Sequence, residues 1–112
     1  MPPNMEALRH CLKAFDFKRL LIEELGWNRN PSQTLEVQVA NARIHLTPVA
    51  EKCGMVVLVH ESADGLPAYP IRRKIEQQVR KAHHEHVIVF CDAKRTQQIW
   101  QWVKREPGKP AA

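Results

Sequence analysis

MVVLVHESADGLPAYPIRRKIEQQVRKAHHEHVIVF, residues 55–90, decides the fold of this 112-residue chain. Met55 to His60 and Val87 to Phe90 are near-continuous apolar runs, the pattern of strands covered on both faces. Pro70 opens a helix between them. Ile71, Ile75, Val79 and Ala82 give that helix a narrow apolar stripe, and Arg72, Arg73, Lys74, Gln77, Gln78, Arg80 and Lys81 fill the rest of its surface. Strand, helix and strand in this order form a crossover unit, so the two strands are expected to run parallel with a right-handed connection.

Towards the N-terminus, Asp16 reads as the cap of a helix over Phe17 to Leu25, with Gly26 as its stop and Trp27 folding back onto its end. Met5 to Leu12 reads as an earlier helical turn. Leu35 to Val39 and Arg43 to Thr47 alternate apolar and polar residues around Ala40-Asn41-Ala42, the signature of a hairpin. Thr47-Pro48 reads as a second helix start, a hydroxyl cap followed by proline in the first helical position. Beyond Phe90, Asp92 is expected to cap a last helix with Ile99, Trp100 and Val103 inward. The expected class is α/β, a small mixed sheet with flanking helices in the order α-β-β-β-α-β-α. Residues 15–105 are expected to make one domain, 1–14 an N-terminal segment, and 106–112, containing Pro and Gly, a linker-like tail, as in a domain excised from a longer polypeptide or a small domain with a frayed end.

Composition excludes several classes. No apolar run approaches the roughly 18 residues of a membrane span, and no basic stretch precedes an apolar one at the start. The three cysteines, Cys11, Cys53 and Cys91, are odd in number and form no CxxC pair. A reduced, cytoplasmic setting is therefore expected. Four glycines, none clustered, give no phosphate loop. Cys91 lies between a buried strand and a cap, and reads as a structural thiol. His83-His84-Glu85-His86 reads as a polar connection rather than a metal site, because a strand begins before helical i, i+3 spacing can be completed. His45 and His60 are expected at the rim of the sheet. No metal or other cofactor is expected.

Charge is segregated. Tyr69 to Ala112 holds ten Lys/Arg against four Asp/Glu, whereas Met1 to Ala68 holds seven against eight. Basicity concentrated in one half of a fold argues for a polyanionic partner. Arg72, Arg73, Lys74, Arg80, Lys81, Lys94 and Arg95 are the expected phosphate contacts, with Gln77, Gln78, Gln97, Gln98 and Gln101 adding hydrogen bonds and Trp102 stacking on a base or partner.

The element order resembles the core of PD-(D/E)XK nucleases. Such a site needs carboxylates on the second and third strands to hold Mg²⁺ and a lysine beside the attacking water. The second strand offers Arg43, His45 and Thr47, and the third offers Glu61 with Ala63 where the lysine would stand. A divergent Mg²⁺-dependent nuclease would have to use Glu23 or Glu24 with Glu51, Lys52 or Glu61. A third reading is a protein-interaction module presenting Trp27 or Trp102.

Longer blocks carry a family resemblance. Phe15-Asp-Phe17 with Leu20, Glu23-Glu-Leu-Gly-Trp27, Ala50-Glu-Lys52 with Gly54, Arg72-Arg-Lys-Ile-Glu76, His84-Glu-His86, Thr96 to Val103 and Arg105 to Lys109 resemble the N-terminal region of large bacterial restriction-modification polypeptides that carry an adenine-type DNA methyltransferase. The resemblance implies a DNA-associated accessory domain of a restriction-modification or phage-defence protein. It would bind DNA phosphates or dock onto downstream domains, without membrane contact. The methyltransferase motifs themselves are not in this chain, and the missing strand carboxylates depart from a nuclease pattern.

Overall fold

A computed structural model describes residues 4–29, 34–63, 65–81, 85–94 and 97–104. Its elements are α1 (Met5–Leu12), α2 (Phe17–Glu23), β1 (Asn28–Arg29), β2 (Leu35–Val39), β3 (Ala42–Lys52), β4 (Met55–Ser62), α3 (Tyr69–Val79), β5 (Glu85–Asp92) and β6 (Gln98–Val103). One mixed sheet runs β1-β3-β4-β5-β6, with β2 beside the first half of β3. As expected, β4 and β5 are parallel, in register from Met55 opposite Glu85 to Ser62 opposite Asp92. All other pairings are antiparallel. Among the described residues no helix is long and apolar enough to cross a membrane.

Both faces of the sheet are covered, which explains the unbroken apolar runs. Val57, Val59, Val87 and Val89 pack with Leu8, Leu12, Phe17, Leu21 and Trp27 on the α1/α2 face. Leu58, Ile88 and Phe90 pack with Ile75 and Val79 on the α3 face. The segment read as preceding the domain thus supplies core residues. It is locally well specified too, because the Asn4 side chain accepts the backbone N–H groups of Glu6 and Ala7, each at 3.1 Å. Trp27 is buried as expected at the end of α2, its backbone N–H bonded to the Leu21 carbonyl at 2.9 Å.

Two expected helices are strands. Thr47-Pro48 lies inside β3. β2 pairs with β3 only as far as Leu46, and β1 joins again at Ala50. Proline therefore stands where that side of β3 has no partner among the described residues, and a missing N–H costs nothing there. The register shift between Pro48 and Ala50 marks the same irregularity. The helix expected after Asp92 is instead β6, antiparallel to β5. Asp92 does cap backbone, but in a turn: its Oδ1 accepts the Gln97 N–H at 3.1 Å.

The turn Cys53-Gly54 joins β3 to β4 with φ of 52° and 83°. Positive φ at both positions matches the twist of the hairpin and favours Asn-Gly. Cys53 is exposed and carries a Cβ into this left-handed region. Cys53→Asn is expected to raise stability by about 0.5–1 kcal/mol. The thermal midpoint should rise by a few degrees; an unchanged or lower midpoint would contradict the assignment of strain.

Candidate functional site

The basic element of the sequence is α3. Ala68 enters it extended, and proline sits in the first turn. Ile75 and Val79 are buried against the sheet, which turns the polar residues outward. Those residues divide into three groups.

Arg72 holds the helix to the sheet. Its Nε donates to Gln101 Oε1 on β6 at 3.0 Å and its Nη1 to the Pro67 carbonyl at 2.7 Å, with the guanidinium 5.6 Å from the Tyr69 ring centre. Gln78 does the same for the hairpin: it accepts the Gln38 N–H at 3.2 Å and donates to the Gln38 carbonyl. Arg73 and Arg80 flank Glu76, which is only 6 % exposed and pairs with both. Lys74, Gln77 and Lys81 are exposed, and neither lysine has an ion pair among the described residues. Of the five cations on α3 and its C-terminal turn, only Arg73 and Arg80 thus pair with its one carboxylate.

The other expected contacts are dispersed. Lys94 is exposed in the turn after β5, and Arg95 lies outside the described residues. Gln98 is used internally, donating to the Leu12 and Ala14 carbonyls. Trp102 stands opposite Val87, on the α1/α2 face of the sheet, whereas α3 covers the other face. Its Nε1 donates to Glu85 at 3.0 Å, and Lys104 lies 4.6 Å from its ring centre. Trp102 and the α3 cations therefore do not form one continuous surface.

No family model, no curated protein and no solved structure matches the chain. The functional reading therefore rests on geometry and charge.

The carboxylates of the nuclease reading do not converge. Glu51 stands opposite Val56, at the other end of β4 from Glu61; at about 3.3 Å per residue the two positions are roughly 16 Å apart. Glu23 is paired with Arg19 at 2.9 Å, and Glu24 is exposed at the end of α2. Lys52 donates to the Leu25 carbonyl at 3.1 Å, a favourable place for a cation beyond a helix C-terminus. Among the described residues no three His, Cys, Asp or Glu side chains are placed to hold a metal ion. His83 and His84 lie outside the described residues, and His86 is buried in β5. His45 is exposed and His60 half-buried, 3.2 Å from the His45 carbonyl, at the rim as expected.

Cys11 and Cys91 are buried, Cys91 as read from the sequence. Burial, followed by the negative charge of Asp16, pushes the Cys11 thiol above its usual range, so it stays protonated and unreactive.

Sequence reading missed one feature. A cleft of about 350 Å³ opens between α2, β1 and β3, lined by Lys18, Arg19, Ile22, Glu23, Arg29 and Val49. Its cations come from the half of the chain whose charges nearly cancel, so composition could not flag it. Most of that charge is answered locally: Arg19 pairs with Asp16 and Glu23, and Lys18 with Glu61 at 3.7 Å. The cleft is a mixed-charge surface, while α3 is a largely unanswered positive one.

Proposed function

We propose that this chain is a non-catalytic, DNA-associated domain that holds duplex phosphates on the outer face of α3. The observation that carries the reading is the excess of cations on α3 and its C-terminal turn, where Glu76 pairs with Arg73 and Arg80 while Lys74 and Lys81 are exposed with no ion pair among the described residues. Phosphate contacts of this kind attract any duplex and carry no base readout. The scaffold beneath is rigid, because α3 is tied to β2 through Gln78 and to β6 through Arg72. Membership of a restriction-modification or phage-defence polypeptide is part of the same proposal and rests on the sequence blocks alone. A cytoplasmic setting belongs to the proposal too, and three cysteines held in no disulfide agree with it.

Lys74 and Lys81 give the cleaner test, because reversing Arg73 or Arg80 would also strand buried Glu76. Fluorescence anisotropy with a labelled duplex across a salt series should give a linear fall of log affinity with log salt. Lys74→Glu with Lys81→Glu should weaken binding about tenfold or more and flatten the salt slope by about two. Binding unchanged by the double reversal would sink the proposal.

A further inference from the structure

We infer that β6 is the seam of a symmetric dimer, its outer edge pairing antiparallel with β6 of a second copy. β6 is the last strand of the sheet, and among the described residues it pairs only with β5. An exposed edge presents unpaired N–H and C=O groups, and proteins blunt such edges with charge, proline or a bulge. From Gln98 to Val103 there is no charged residue and no proline, and the register with β5 is unbroken.

The order of side chains selects the partner. Ile99-Trp100-Gln101-Trp102-Val103 reads almost the same in both directions. In an antiparallel pair, directly opposed residues point to the same face. Pairing centred on Gln101 therefore sets Trp100 against the partner copy's Trp102 twice on the α1/α2 face. Ile99 meets Val103 twice on the α3 face, Gln101 meets itself on the axis, and Lys104 meets Gln98. Aromatic and β-branched pairs are the favourable cross-strand combinations, and no like charges are opposed. A one-residue slip would set Trp against Gln and Ile against Trp, and would invert the second copy. Surface remains to be buried, since Trp102 is 37 % exposed and Trp100 half-exposed.

The two-fold axis of such a pairing is perpendicular to the sheet. It makes one continuous sheet, with both α3 helices on the same side. The dimer does not depend on DNA binding, and its test contains no DNA.

Sedimentation velocity of the 112-residue chain, from micromolar to sub-millimolar concentration, should show a monomer passing into a dimer. Trp102→Ser removes both tryptophan pairs while leaving the exposed site able to fold. It should weaken association about tenfold or more with the circular dichroism spectrum unchanged. Register is read by cross-linking in a Cys53→Ser background. With oxidised glutathione as oxidant, Gln101→Cys should give a disulfide-linked dimer and Ile99→Cys should not, because only position 101 meets itself. A chain monomeric throughout, a dimer indifferent to Trp102→Ser, or a dimer that does not cross-link at 101 overturns the inference.

Discussion

Phe90→Ala should cost about 3–5 kcal/mol, the largest single-site loss expected in this chain. Phe90 is fully buried in β5, on the face covered by α3, together with Leu58, Ile75 and Ile88. Its ring also meets His60 edge-on, 6.1 Å between centres. The strand is held on both sides, by β4 in parallel and β6 antiparallel. The backbone therefore cannot collapse into the space a lost ring leaves, and the cavity term adds to the lost transfer energy. Domains of this size have about 5–15 kcal/mol in total, so the variant should sit near its unfolding threshold at ambient temperature. Tyr69→Ala is the control. Tyr69 is 61 % exposed at the start of α3, and its loss should change stability by no more than about 0.5 kcal/mol. Urea unfolding followed by circular dichroism measures both. Equal midpoints for the two variants would contradict this account of the core.

The parts of the fold legible in the sequence are those where one physical signal acts alone. Met55 to Val59 and Val87 to Phe90 are buried on both faces, and nothing but a central strand accommodates them at that length. The errors occur where two signals compete. Thr47-Pro48 has the chemistry of a helix start, but β3 pairs on both sides of it and the proline falls in the gap between β1 and β2. Gln98 to Val103 is a strand whose two faces both carry apolar groups: Trp100 and Trp102 on one, Ile99 and Val103 on the other. A polar/apolar reading then shows no period of two, and the Asp92 carboxylate suits a turn as well as a helix cap.

The same limit applies to the candidate surface. A sequence gives the number of cations but not what answers them. Arg72, an expected phosphate contact, also hydrogen-bonds to Gln101, and Gln78 bonds to Gln38, while Trp102 lies across the sheet from α3. Glu76 was one acidic letter in a basic helix. Its burial between two arginines could not be read from spacing alone, although i−3 and i+4 arginines make the pairing geometrically available.

Glu76 supplies the prediction that separates folding from binding. Removing one partner of a fully buried ion pair costs several kcal/mol, because the other charge is stranded. Here the side chains of Arg73 and Arg80 are 41 % and 35 % exposed and can recover water. Glu76→Gln should therefore cost only about 1–2 kcal/mol. Its effect on DNA runs the other way. The substitution removes the one carboxylate that α3 presents and releases two arginines towards phosphate. Affinity should rise about threefold to tenfold, and the salt slope should steepen by about one. A loss of stability accompanied by a gain of affinity cannot come from general unfolding. A fall in affinity that tracks the fall in stability would mean that Glu76 orders the binding surface, and that the arginines beside it are structural.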